Sequence, residues 1–360
     1  MSSFATNIIY NSPLSFTSDD NVIYITDSNT SCLLKKEVGY SSNISHLELE
    51  VGEEHKSFES VEKILSFAIE HKIDREGTFV GIGGGVLLDV VGFASSIYMR
   101  GIASVYVPTT LLAMVDASIG GKTAINFGSF KNIVGTFYAP KEVYILEQYL
   151  ESLSYAQYMS GLAEIIKISL INSPDIYKKI KHNVAKIQNR CMTGFIEIIK
   201  TAIEGKIRVI KKDFREKNIR AHLNLGHTFA HALEELLEFR DITHGEAVAW
   251  GISRALSLGL LLGKTCDAYA RDVLATLENL GYETSPIPKA LLEKLKNCNN
   301  RSGKIYRKEE IPNLFIEKME MDKKSRHGKI NFVLQENLGK TFIFEASKDN
   351  IKEKIIEVLL

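Results

Sequence analysis

Neither sign of charge is in excess: Lys+Arg and Asp+Glu both number 44, leaving no net charge. Without a net field, nothing draws a nucleic-acid backbone or an acidic membrane surface to the chain, so any anionic ligand must be held by cations gathered locally. Cysteine is scarce. Cys32, Cys191, Cys266 and Cys298 lie far apart and form no CxxC pair, which argues for reduced thiols and a cytoplasmic protein. No apolar run reaches the roughly 18 residues of a membrane span. The first residues, MSSFATNIIYNSPLSF, carry no basic region followed by an apolar core, so no secretory signal is expected. Internal repeats, low-complexity segments and long linkers are also missing. What remains is a chain of 360 residues, 45% hydrophobic and 24% charged, long enough for two domains with sizeable cores.

The first part alternates strands and helices. VIYITD (22–27) reads as an inner strand ending in an acid; Asp27 there is placed either to bind a ribose hydroxyl or simply to begin a loop. A second strand and an amphipathic helix follow, with Val61, Ile64, Leu65 and Ala68 facing inward and with Glu53 and Lys56 in the connection. The segment TFVGIGGGVLLDVVGF then runs a strand through Gly83, Gly84 and Gly85 straight into an apolar helix. Glycines at that junction let a backbone approach a pyrophosphate at a helix N-terminus. The alternative is a tight strand-to-helix turn, since the spacing departs from GxGxxG, and Asp89 one turn further on is open to a helix-dipole role. Between the next two strands, Thr109, Thr110, Asp116, Gly120, Gly121, Lys122, Lys131 and Asn132 read as a loop that either cradles an anion or is merely solvated.

From about residue 150 to Leu280 the pattern is helical, which sets domains at 1–150 and 151–360; GKINFVLQENLGKTFIFE near the end alternates like a hairpin. The stretch LNLGHTFAHALEELLEFRDITHGEAVAWG (223–251) stands out. His227 and His231 share one helical face, and His244 opens the next helix after a break at 241–243. Imidazoles from consecutive helices suit zinc. Glu164 in GLAEIIK, with Lys167 three residues later, is the best upstream third ligand. Lys206 and Arg220 form a cationic set with Lys167, accompanied by Asn224.

Taken together, GGGVLLDVVGF, RGI, VPTTLLAMVDASIGGKTAIN, KNIVGTFYAP, GLAEIIK, LNLGHTFAHALE, HGEAVA and MDKK, in this order from about Asp27 to Lys324, resemble the 3-dehydroquinate synthases of the sugar phosphate cyclase superfamily. The resemblance implies a Rossmann-like α/β nucleotide-binding domain, then an all-α metal-binding domain, with the active site in the cleft between them. It implies conversion of 3-deoxy-D-arabino-heptulosonate 7-phosphate to 3-dehydroquinate and phosphate, a shikimate-pathway step towards aromatic amino acids. NAD is used catalytically for transient oxidation, followed by phosphate elimination, re-reduction and aldol closure. The temporary ketone acidifies the neighbouring C–H, and substrate phosphate is a plausible base. Glu164, His227 and His244 would bind Zn2+ or Co2+. Lys122, Asn132, Lys167, His231 and Lys324 (or its neighbour Lys323) would meet phosphate, with Arg100 reaching across from a second subunit of a homodimer. Lys206, Arg220 and Asn224 would hold the substrate carboxylate, and Asp116 and Glu216 would complete the network. For NAD the matching residues are Asp27, Glu53, Lys56, Gly84, Gly85, Asp89, Thr109, Thr110, Lys131 and Ser152.

Other readings are a cyclase of sedoheptulose 7-phosphate or glucose 6-phosphate, which would not need Lys206 with Arg220, and an iron-type alcohol or glycerol dehydrogenase, which usually presents an aspartate in place of Glu164. A catalytically dead binding paralogue would have lost a ligand or a cation. The chain departs from the family at Ala230 and Asn218 (usually Gly), at Met114 and Ala124 (usually Gln and Gly), and in its RDITHGE connection. Asn218 is expected to accept a positive φ in place of glycine.

Overall fold

The protein is described from a computed structural model covering residues 5–14, 21–38, 44–128, 130–302, 307–321 and 329–360. In chain order the first elements are β1 (Asn7–Tyr10), β2 (Val22–Asp27), α1 (Ser31–Val38), β3 (Ser45–Leu49), α2 (Phe58–Glu70), β4 (Thr78–Gly83), α3 (Gly85–Ile97) and β5 (Ala103–Pro108). A hairpin of β6 (Lys122–Phe127) and β7 (Phe130–Phe137) comes next, then β8 (Glu142–Ile145). The helices α4 (Tyr155–Asn172), α5 (Pro174–His182), α6 (Val184–Gln188), α7 (Phe195–Lys212), α8 (His227–Leu236), α9 (His244–Leu261), α10 (Asp267–Asn279), α11 (Lys289–Ser302) and α12 (Ile311–Met321) follow; β9 (Lys329–Asn337), β10 (Lys340–Ser347) and α13 (Lys348–Leu359) close the chain. Two compact units result: Met1–Gly161 with Lys206–Arg215, and Leu162–Gly205 with Glu216–Leu360.

The first unit is built on a six-stranded sheet of order β1-β8-β5-β4-β2-β3, parallel at every pairing. Strands covered on both faces have no polar side to show. That is why β4 is buried along its whole length, and why Ile23, Ile25, Phe79, Val80, Val105 and Val107 form its core. The chain lays β3 on one side of β2 and then β4 on the other. This reversal opens a crevice at the C-terminal ends of β2 and β4, the place where open α/β sheets bind ligands. The stretch read as a loop between strands is instead a short π-helix, Ala113–Ala117, and the antiparallel hairpin β6–β7. Strand β7 is mostly exposed despite its apolar FKNIVGTF sequence, so it lacks the one-sided alternation that announces a strand.

The second unit is helical apart from the hairpin β9–β10, which lies where the GKINFVLQENLGKTFIFE alternation places it. Its centre is the crossing of α8 and α9. Gly226, in a left-handed conformation at φ 79°, precedes α8, and Gly251 lies in α9; a Cβ on Gly251 would come within 2.2 Å of the Gly226 carbonyl oxygen and 3.1 Å of the Ala230 nitrogen. Only hydrogen at both positions permits so close an approach. Ala230, where the family usually has glycine, is fully buried at this crossing. No helix among the described residues is long and apolar enough to cross a membrane.

Candidate functional site

In the first unit the expected nucleotide residues gather at the sheet crevice. Gly84 is the N-cap of α3 and has φ −77° and ψ 179°. A Cβ added there would meet only Thr110 Cγ2, at 3.6 Å, so the glycine leaves space in front of the first turn of α3, whose N–H groups are suited to an anion. Asp27 ends the neighbouring strand, with Oδ1 accepting from Asn29 N–H at 3.1 Å and from Thr30 Oγ1 at 2.9 Å. Thr109 N–H donates to Gly83 O, and Thr110 Oγ1 accepts from Ala113 N–H. Asp89, one turn into α3, pairs with Lys56 at 2.6 Å; burial raises its pKa, and Lys56 opposes that rise. The Lys56 ammonium also donates to Asn132 Oδ1 at 2.5 Å. Glu53 faces Lys131 at 3.6 Å. Lys56, Asp89 and Asn132 thus form one network.

Other expected residues stand apart from that network. Ser152 is exposed, with Oγ donating to Tyr149 O at 3.3 Å. Lys122 is exposed at the start of β6. Lys206 does not stand ready for a ligand alone: its ammonium bonds both Asp116 Oδ1, at 2.5 Å, and Asp116 O, at 2.6 Å. Asp116 sits in the π-helix, a distortion that recurs at functional sites. Arg100 is exposed at φ 73°, beside Met99 at φ 48°. Lys323 and Lys324 lie outside the described residues.

In the second unit Glu164, His227 and His244 each offer a ligand atom within 4.8 Å of the others. Glu164 projects from the buried middle of α4 and has no exposed surface. Its Oε1 lies 3.6 Å from His244 Nε2 and 3.9 Å from His227 Nε2, and its Oε2 pairs with Lys167 at 2.5 Å. Two ligands of one tetrahedral zinc stand about 3.4 Å apart, so the separations suit a shared divalent ion. The opposite ring nitrogens are occupied: His227 Nδ1 lies 3.3 Å from Leu225 O, and His244 Nδ1 lies 3.0 Å from Glu234 Oε1. Such contacts fix each Nδ1 as the donor and turn Nε2 towards the cluster. His244 is at N1 of α9 because Thr243 and Glu246 form a capping box. Burial disfavours its cation, yet hydrogen bonds to Glu164 and Glu234 push it up to about 10. The negative field that holds this proton would equally attract a metal cation. His231 packs edge-on to His227, ring centroids 5.2 Å apart.

Arg220 is buried on the short helix Ile219–Asn224, and Asn224 Nδ2 donates to Glu216 Oε1 at 2.9 Å. Asn218 differs from expectation. It has φ −142°, and the left-handed residue of this turn is Glu216 at φ 53°. Within the RDITHGE connection Asp241 has φ 59°, and just before it Glu238 and Phe239, just past the end of α8, have φ 53° and 57°. Sequence reasoning missed Glu234, although His227, His231 and Glu234 follow the i, i+4, i+7 spacing of one helical face. Glu234→Gln is expected to weaken divalent metal binding about 10–100-fold, the usual cost of losing such an outer partner. Competition with a metal indicator measures this, and unchanged affinity would remove Glu234 from the site.

The sheet, its glycine turn and the buried Glu–His–His set define a protein of the sugar phosphate cyclase fold. The chain superposes on 2-deoxy-scyllo-inosose synthase complexed with carbaglucose-6-phosphate, NAD+ and Co2+ with a TM-score of 0.78 at 25% identity, over 99% of this chain and 98% of that one. It superposes on ValA, the 2-epi-5-epi-valiolone synthase from Streptomyces hygroscopicus subsp. jinggangensis 5008 with NAD+ and Zn2+ bound, with a TM-score of 0.82 at 21% identity, over 100% and 97%. By sequence, residues 46–160 match the 3-dehydroquinate synthase N-terminal model and residues 161–304 the C-terminal model. The 3-dehydroquinate synthase of Campylobacter jejuni subsp. jejuni serotype O:23/36 (strain 81-176) is 40% identical over 311 residues, 86% of this chain and 82% of that protein. The chain belongs to the 3-dehydroquinate synthase family.

Proposed function

We propose that the protein is an NAD- and metal-dependent lyase, a 3-dehydroquinate synthase that acts in the cytoplasm as a homodimer on 3-deoxy-D-arabino-heptulosonate 7-phosphate. The observation that carries the reading is the Glu164–His227–His244 donor set, with both histidines turned by outer partners, in a chain of this family. Glu164, His227 and His244 would hold the divalent cation, zinc or cobalt, which would supply Lewis-acid polarisation of the hydroxyl to be oxidised. Asp27, Gly84, Gly85 and Asp89, with Glu53, Lys56, Thr109, Thr110, Lys131 and Ser152, would hold NAD, which would supply reversible hydride transfer.

The remaining residues bind and orient the substrate. Lys122, Asn132, Lys167, His231 and Lys324 are assigned to its phosphate, with Arg100 contributed by the second subunit. Arg220, Asn224 and Lys206 are assigned to its carboxylate, which a guanidinium grips bidentately. Asp116 keeps the Lys206 ammonium compensated before substrate arrives, and Glu216 holds Asn224 in place. Lys167, paired with Glu164, places an ammonium beside the metal ligands, where it is able to donate to a phosphate oxygen.

The test is a balance of products. Metal-loaded enzyme with NAD+ and the heptulosonate phosphate is expected to yield phosphate and 3-dehydroquinate in equal amounts, with no net NADH and with loss of turnover after chelation. Stoichiometric NADH would instead indicate a dehydrogenase. Phosphate without dehydroquinate would indicate a phosphatase.

A further inference from the structure

Ladder pairing in the β6–β7 hairpin runs regularly from Lys122↔Phe137 to Ile125↔Val134 and then slips to Phe127↔Phe130, so that Asn126 on β6 stands opposite Lys131, Asn132 and Ile133 on β7 and the pairing is irregular there. Bulges re-aim one residue away from the ladder and are common beside active sites. Here Asn126, at the irregular position, makes four hydrogen bonds. Asn126 N–H donates to Lys56 O at 2.7 Å. Its side-chain amide donates to Glu53 Oε1 at 2.8 Å and to Glu53 O at 3.2 Å, and its Oδ1 accepts from Asn132 N–H at 2.9 Å. Asn132 is thereby held at φ 51°, a left-handed conformation, from which its own Oδ1 accepts from the Lys56 ammonium. Every bond of the Asn126 side chain goes to a residue assigned either to the dinucleotide or to the substrate phosphate.

From this arrangement we infer that Asn126 is a positioning residue that couples the two ligands: the bond that orders Glu53 for the dinucleotide and the bond that fixes Asn132 for phosphate belong to one planar amide, so each ligand makes the other's site. The inference rests on the cofactor and phosphate assignments proposed above. Because coupling is reciprocal, phosphate tightens NAD+ by the same factor as NAD+ tightens phosphate. Three features favour this over a plain hairpin brace. The amide is used on both its donor and its acceptor side, the irregular pairing sets it opposite the segment that holds Asn132, and it grips Glu53 by side chain as well as backbone.

The experiment is titration of NAD+ into full-length, metal-loaded protein with and without inorganic phosphate. For the wild type, saturating phosphate is expected to lower the NAD+ dissociation constant about tenfold, within the usual span of coupling energies. In Asn126→Ala, NAD+ is expected to bind several-fold more weakly and the phosphate effect to fall to a factor of one. Asn126→Asp retains an acceptor for Asn132 but sets a carboxylate against Glu53. It is expected to keep phosphate affinity and lose NAD+ affinity, which provides a second reading should the alanine variant be poorly folded. A folded Asn126→Ala protein with a lower Tm but with wild-type NAD+ affinity and an intact phosphate effect would make Asn126 a brace only. Wild-type binding of NAD+ that ignores phosphate would overturn the coupling while leaving the proposed function standing. Wild-type failure to bind NAD+ at all would overturn both.

Discussion

Glu164→Gln is expected to give a folded protein that retains no stoichiometric metal and turns over at least about 10³-fold more slowly, since Lewis-acid polarisation contributes several kcal/mol to such reactions. The amide keeps the shape of the carboxylate in a site with no exposure but removes its charge. That charge has two duties. It supplies the anionic ligand of the cluster, and it neutralises Lys167, whose side chain is only 4% exposed. Breaking a buried pair costs about 3–5 kcal/mol, so Tm should fall as well. Lys167→Met leaves the histidines in place and should lower stability and phosphate affinity while retaining metal, which separates the two duties. Metal content by mass spectrometry, read beside kcat, decides the matter; full occupancy with wild-type turnover in Glu164→Gln would take the metal assignment away from this cluster.

Arg220→Met is expected to reduce kcat/KM for the carboxylated substrate about 10²–10³-fold, as loss of one partner of a buried, charge-assisted contact does. The loss should appear chiefly as a raised KM, because the carboxylate lies at the opposite end of the substrate from the departing phosphate and is bound alike in the ground state and in the transition state for that loss. Arg220 is 3% exposed on the short helix Ile219–Asn224, and methionine fills much of its volume without a charge. Lys206→Met should act in the same direction and should also loosen Asp116, which bonds the ammonium through two oxygens. Steady-state kinetics of the two variants measures this. An unaltered KM in Arg220→Met would mean that the guanidinium serves the fold and not the substrate.

Features carried by local periodicity were readable in the chain. The pair His227 and His231, the fresh helix at His244, the buried carboxylate at 164 and the glycines at the end of β4 all follow from spacing within one or two elements. The alternation of β9 and β10 was equally plain. What was not readable depended on long-range contacts. Strand β7 looked like loop because it shows no buried face. The Asn126 bulge is a property of the pairing between two strands, invisible in GGKTAIN. Lys56 and Asn132, 76 positions apart in the chain, meet only because the hairpin folds over the 53–56 turn. The φ of Asn218 was misjudged for a related reason: a turn's left-handed position is set by the whole loop, and here it falls on Glu216. Glu234 was within reach of helical spacing, but an acid in an EELLE run reads as solvated until its partner is known.

The most direct measurement is phosphate release by metal-loaded enzyme with NAD+ in parallel reactions containing the heptulosonate phosphate, sedoheptulose 7-phosphate or glucose 6-phosphate. Release from the heptulosonate phosphate alone is expected, because only that sugar presents a carboxylate to Arg220 and Lys206. Release from either neutral sugar phosphate in preference to it would contradict the central claim and make the protein a cyclase of another substrate on the same fold.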